Sequence, residues 1–441
     1  MIGSVLFGLL GLATLLGIAW ACSTDRRAVD WRLVLTGVTL QILFAMLVLL
    51  VPGGRDVFDA LGGLFVRLLE FTHEGSSFIF GSLADTGKFG VVFAVQVLPT
   101  IIFFAALMGV FYHLGVMQAI VRGLAWVIMR VMRVSGAETT SVCASIFIGQ
   151  TEAPLTIRPY LARMTQSELL TVMVGGMAHI AGGVLAAYVA MLGGDDPVQQ
   201  AYYAKHLLTA SVMAAPATIV IAKLLVPETG DPLTRGQVRM EVERTTTGVI
   251  DAAASGAGDG LKLALNVGAM LLAFIALIAL INAPLQWLGG VGWGGSGATI
   301  DGWLSAVSGR PVTLSLQTLF GYLLAPIAWI IGVPWQDATV VGSLIGQKVV
   351  LNEFVAYIGL ADIINGRVPG VALSAQGTLI ATYALCGFAN FASIAIQIGG
   401  IGGLAPERRG DIARFGMRAV LGGSIATLMT ATIAGVLSQF G

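Results

Sequence analysis

Two stretches of this chain set polar and acidic side chains inside otherwise apolar sequence. The first reads Phe147-Ile148-Gly149-Gln150-Thr151-Glu152-Ala153-Pro154, and some thirty residues later comes Ala178-His179-Ile180-Ala181-Gly182-Gly183. The second holds Gly346-Gln347-Lys348 and Asn352-Glu353-Phe354, followed some thirty-five residues on by Gly387-Phe388-Ala389-Asn390-Phe391-Ala392-Ser393. Each half offers a short apolar stretch broken by an acid-bearing tip, then a helix interrupted by glycine and polar residues. Amide, hydroxyl and carboxylate groups together suit reversible binding of a polar solute through charge-assisted hydrogen bonds.

The elements that must position these residues lie in a membrane. Of 441 residues, 56% are hydrophobic and 11% charged, against about 25% charged in soluble domains; mean hydropathy is +0.87. A net charge of +0 gives no support for nucleic-acid binding. Cys22, Cys143 and Cys386 are too scattered for a disulfide framework or a zinc site. Clear spanning candidates are Gly3–Ala21, Val34–Val51, Val91–Val110, Leu207–Ala222, Ala264–Ile281 and Phe415–Leu437. Leu169–Leu192, Leu316–Val333 and Thr378–Ile398 are weaker, being interrupted by Gly, Pro or polar residues. Nothing basic precedes Arg26, so Gly3–Ala21 reads as a first transmembrane helix rather than a signal peptide.

Val57–Glu70 and Tyr112–Arg133 read either as amphipathic helices in the headgroup plane or as ordinary connecting helices. Glu228–Glu243 and Gly289–Gly297 read as loops. Arg26, Arg27 and Arg32 lie in the turn after the first span, and the turn before the last carries Arg408, Arg409, Arg414 and Arg418. The positive-inside rule makes both turns cytoplasmic and places both termini outside.

An irregular tip exposed to lipid would leave backbone groups unpaired, so it must be buried in protein or line a water-filled cavity. A carboxylate at the bilayer centre costs about 2.5–3.5 kcal/mol even on insertion scales, and here there are two, Glu152 and Glu353. Short, broken segments at corresponding places in two halves point to a transport site near the midplane. Structural alternatives stand beside this reading. Glu152 could pair with Arg158, Asn390 and Ser393 could bond neighbouring helices, Phe388 could be core, and Gly182 and Gly183 a packing patch. Gln347 and Lys348 read as a helix-end pair without substrate contact, and Asn266 as structural. The chain reads to this point as a secondary transporter with a polar central site, its solute open.

Gly149–Leu161 (GQTEAPLTIRPYL), Asn352–Tyr357 (NEFVAY), Gly387–Ser393 (GFANFAS) and Gly399–Leu404 (GGIGGL) resemble signatures of the concentrative nucleoside transporter family. His206–Lys223 and Tyr322–Val333 resemble it too, and the agreement runs from about residue 85 to the C-terminus. The resemblance implies an all-α fold of about eight transmembrane helices, two re-entrant hairpins and interfacial helices, arranged as an inverted repeat and assembled as a trimer. Residues 1–84 would form N-terminal transmembrane helices and an interfacial helix. Residues 85–441 would form the transport and scaffold core, with hairpins near 135–165 and 336–360. Gln150, Thr151 and Glu152 would bind the nucleobase, with Phe388 packed on it and Val184 lining its side. Glu353, Asn390 and Ser393 would hold the ribose hydroxyls. This needs no covalent chemistry, so the chain reads as a transporter and not an enzyme, with no organic cofactor.

The cation site departs from the family's pattern. Sodium-coupled members hold the ion with an Asn and a Ser or Thr side chain plus backbone carbonyls. The matching positions here are Ser145 and His179, with Ile148 and Ile180 supplying the carbonyls. Ser145, Ile148 and Ile180 could still hold sodium, but an imidazole is a poor sodium ligand that titrates near neutrality. The expectation is nucleoside import across a bacterial inner membrane, coupled to a proton rather than to sodium. Rival readings are a transporter of nucleobases or another polar metabolite on the same architecture, and a non-transporting nucleoside sensor.

Overall fold

The computed structural model describes residues 2–89, 92–236, 246–292, 298–308 and 311–440. Regular structure among them is helical, with one isolated bridge between Ser135 and Arg235. The family-implied re-entrant hairpins are both present. In the first, the Gly136–Ser145 helix runs to an irregular stretch and returns through short turns at Ala153–Ile157 and Arg158–Leu161. In the second, Trp335–Val350 turns at Leu351 and Asn352 into Glu353–Ile364. A broken helix follows each: Gln166–Ala178 with Gly182–Gly193, then Ala375–Ala384 with Phe391–Leu404. A 29-residue helix closes each unit, Pro197–Leu225 and Arg409–Leu437, and the two pack against one another at the centre. Three spans separate the hairpins (Gln166–Gly193, Pro197–Leu225 and Val249–Gly290), so the second unit is inverted relative to the first.

Seven described helices are long and apolar enough to cross a membrane. In the repeat, the broken pair Ala375–Ala384 and Phe391–Leu404 takes the place of Gln166–Gly193 and would bring the count to eight. Leu316–Val333 is not a separate span. Its helix, Leu316–Ile330, bends by 117° into the arm of the second hairpin, at Gly332 and Pro334. It corresponds to Val116–Met132, which precedes the first hairpin. Other boundaries also move. The Val57–Glu70 segment belongs to one helix, Pro52–Phe80. Tyr112 lies in the last turn of the Leu98–His113 helix, and the basic helix begins anew at Val116, after Gly115 in the left-handed region. Val249–Gly290 is 42 residues long, so its N-terminal half, with Asp259 and Lys262, extends the span well beyond its apolar core. Part of each expected loop (residues 237–243 and 293–297), together with Val91, lies outside the described residues.

Burial separates an inner body from an outer layer. Of the most apolar 18 residues in Gln166–Gly193 and in Pro197–Leu225, 89% are buried, against 28% in Ile2–Ala21 and Trp31–Leu49, as lipid-facing helices should be. Leu98–His113 and Val249–Gly290 form a separate pair alongside. A Cβ on Gly256 would sit 2.6 Å from the Ala105 carbonyl, and one on Gly260 2.7 Å from the Ala105 side chain. This small-xxx-small stripe lets the two backbones approach closely.

The foot of the first hairpin is fixed by charge. Ser135 and Thr165 cap adjacent helices in capping boxes with Glu138 and Glu168. The Ser135 hydroxyl also donates to Glu168 (2.6 Å). Lys223 pairs with Glu138 at 2.8 Å and with Glu228 at 3.0 Å. Two helix N-termini and one ammonium thus offset three carboxylates. Burial pushes Glu228 up, but Lys223 and the Thr165 and Gly230 hydrogen bonds outweigh it and hold the group below its usual value.

Candidate functional site

The two tips and the two helix breaks meet at one cavity of about 930 Å³ between the inner body and the Leu98–His113/Val249–Gly290 pair. That is within the range of small-molecule sites. Gln150, Thr151, Glu152, Val184, Glu353, Phe388, Asn390 and Ser393 all line it. The breaks are held together by their own backbone. Phe388 N–H donates to the His179 carbonyl (3.3 Å), and Gly182 N–H donates to the Phe147 carbonyl (3.0 Å). A Cβ on Gly387 would lie 2.8 Å from the Met177 carbonyl, so glycine is required where the two breaks cross.

Helix capping orients the second half of the site. Asn390 caps the Phe391–Leu404 helix, its Oδ1 accepting from Ser393 N–H at 2.9 Å. A backbone N–H can only donate, so the Asn390 amide must face Glu353 with its nitrogen, and Nδ2 donates to Glu353 Oε2 at 2.9 Å. The Tyr188 hydroxyl donates to Glu353 Oε1 at 3.1 Å. Glu353 is 3% exposed, so both carboxylate oxygens are held by neutral donors, each keeping acceptor capacity.

The same logic orients the first tip. Gln397, fully buried, donates from Nε2 to the Met173 carbonyl (2.9 Å) and to Gln150 Oε1 (3.2 Å). A carbonyl can only accept, so this fixes the Gln397 amide and, through it, that of Gln150. Gln150 Nε2 then donates to Ser393 Oγ at 3.0 Å, joining the tip of one half to the broken helix of the other. Thr151 donates to Glu152 Oε1 at 2.9 Å. Arg158 lines the cavity, yet among the described residues no ion pair joins it to Glu152, so the structural alternative for that acid is not realised. Gln347 and Lys348 stay out of the cavity, as expected. The Lys348 ammonium is buried and donates to the Ala384 carbonyl and Thr427 Oγ1, both at 2.9 Å. Asn266 lies on an exposed face of its helix.

The coupling candidates are placed differently. Ile148 lines the cavity, while Ser145, His179 and Ile180 are buried behind it. Ser145 Oγ donates to the Ser141 carbonyl at 3.0 Å, and His179 Nδ1 lies 2.7 Å from the Gly175 carbonyl. Among the described residues the carbonyls of Ile148 and Ile180 accept no hydrogen bond. Sequence reasoning missed Tyr188, Gln397 and Tyr112. Tyr112 lines the cavity, and its hydroxyl is buried without a partner. An amide at Gln397, deep in an apolar helix, was a readable signal; tyrosines in apolar helices look like core.

A fold with an inverted repeat, two re-entrant tips and a polar cavity at crossed helix breaks defines a multi-pass secondary transporter. Residues 206–435 match the family described as Na+ dependent nucleoside transporter C-terminus, residues 10–83 its N-terminus, and residues 94–195 a nucleoside recognition "Gate" family. The chain belongs to the concentrative nucleoside transporter family; it is a transporter and not an enzyme. An uncharacterized transporter of Haemophilus influenzae is 43% identical over 99% of both chains. Sodium/nucleoside cotransporter 1 of Rattus norvegicus is 39% identical over 97% of this chain and 63% of its own length. The solved structure of CNTnw in an inward-facing substrate-bound state superposes with a TM-score of 0.86 at 44% identity, covering 99% of each chain.

Proposed function

We propose that this protein is a symporter importing nucleosides across the bacterial inner membrane, with both termini on the periplasmic side. The observation that carries this reading is the convergence of base-type ligands from the first tip with a buried carboxylate, amide and hydroxyl from the second half. A nucleobase edge alternates donors and acceptors that Gln150, Thr151 and Glu152 can match, and Phe388 offers a ring face. The vicinal hydroxyls of ribose suit Glu353, Asn390 and Ser393. A nucleobase carrier would have no use for that second group. Residues 1–84 serve as a peripheral layer and 85–441 as the working core, in a trimer surrounded by lipid.

For the coupling ion we favour the proton, because Ser145 and His179 supply one side-chain oxygen where sodium needs several oxygen ligands. The sodium-dependent family and its sodium/nucleoside cotransporter relatives favour sodium, as do the unengaged carbonyls of Ile148 and Ile180. Counterflow of labelled uridine in proteoliposomes tests the function. Exchange driven by internal unlabelled uridine is expected, and none would leave only a sensor.

A further inference from the structure

We propose that Tyr188 is a positioning residue for Glu353, setting the carboxylate geometry on which recognition of the sugar depends; this rests on the ribose assignment above. The Tyr188 hydroxyl donates to Glu353 Oε1 at 3.1 Å from the opposite half of the molecule, since Tyr188 lies on Gly182–Gly193 and Glu353 opens Glu353–Ile364. Its ring is fully buried. It stacks on Tyr357 with centroids 4.2 Å apart and meets Phe354 edge-on at 4.8 Å. Both partners sit on the helix that begins with Glu353, so the phenol is clamped by the same element whose acid it holds. Tyr188 does not line the cavity, so its influence on a solute must pass through Glu353.

With Asn390 on Oε2, the carboxylate has one donor on each oxygen. Its plane is thereby fixed, and the remaining acceptor sites can face two adjacent hydroxyls. Without the phenol, Oε1 would be desolvated and short of a donor, free to turn toward Asn390. A donor on each oxygen, one from each half, also means that the sugar side is complete only when the two halves are in register.

Tyr188→Phe removes one oxygen and leaves the ring packing in place. Binding of uridine and of 2′,3′-dideoxyuridine to the purified protein is compared for wild type, Tyr188→Phe, Glu353→Gln and the double variant. The expected result is uridine binding weakened about tenfold in Tyr188→Phe, as for loss of one hydrogen bond to a charged group. Dideoxyuridine binding should change less than about twofold, and adding Tyr188→Phe to Glu353→Gln should cost less than about threefold further, because partners in one network are not additive. Unchanged uridine binding in Tyr188→Phe, an equal loss for both ligands, or a full tenfold loss on the Glu353→Gln background overturns the inference. If Glu353→Gln itself leaves uridine binding unchanged, the ribose assignment falls first and the positioning role with it.

Discussion

Replacing Glu353 with Gln keeps the side chain's size and removes its charge. In the structure the carboxylate is 3% exposed and accepts from Tyr188 at 3.1 Å and Asn390 at 2.9 Å. An amide has one oxygen, so its NH2 must face either Tyr188 or Asn390, both of which donate here. The remaining oxygen is shared between the other protein donor and the ligand. At least one charged hydrogen bond to a ribose hydroxyl is therefore lost, at roughly 1.5–3 kcal/mol, and 1.4 kcal/mol is about tenfold in affinity. Uridine should bind about ten- to a hundredfold more weakly to the purified variant by calorimetry. The penalty should shrink for 2′,3′-dideoxyuridine, which lacks the vicinal 2′ and 3′ hydroxyls. Uridine affinity equal to wild type would refute the sugar assignment.

Two further outcomes follow from other parts of the molecule. Cysteines placed just after Arg27 and at Gly410 should be labelled only by reagents that reach the cytoplasm; reaction of either from outside intact spheroplasts would reverse the topology. Glu228 is held below its usual value, so its contribution to stability is fully present above the unfolded carboxylate value of about 4.3 and is lost as pH falls through the lower folded value. Glu228→Gln should thus lower the thermal midpoint at pH 7, with the gap to wild type closing below about pH 4; a constant gap at all pH values would contradict the Lys223 pairing.

The parts of this site legible in the sequence were those where a polar residue interrupts an apolar run. Glu152 and Glu353 were readable because a carboxylate within an apolar membrane segment is costly, and the breaks at His179–Gly183 and Phe388–Ser393 because glycine and polar residues cluster there. What periodicity and hydropathy could not show was direction. Leu316–Val333 has a span's composition, and only the bend at Gly332 and Pro334 turns it into the approach to a hairpin. Hydropathy also truncated Val249–Gly290, whose charged N-terminal half continues the helix. Tyr188 was invisible because a tyrosine among Val, Leu and Ala reads as packing, and its partner lies 165 positions away. The family pattern named Ser145 and His179 as ligand positions, but not that both would be buried behind the cavity.

Uptake of labelled uridine into proteoliposomes, with proton and sodium gradients imposed separately, tests the proposed proton-driven concentrative nucleoside transport. Accumulation above equilibrium is expected under an inward proton gradient, abolished by a protonophore, insensitive to sodium, and impaired in His179→Ser more than equilibrium uridine binding is. Accumulation that requires sodium at constant pH would contradict the proton reading, and none under either gradient would contradict symport.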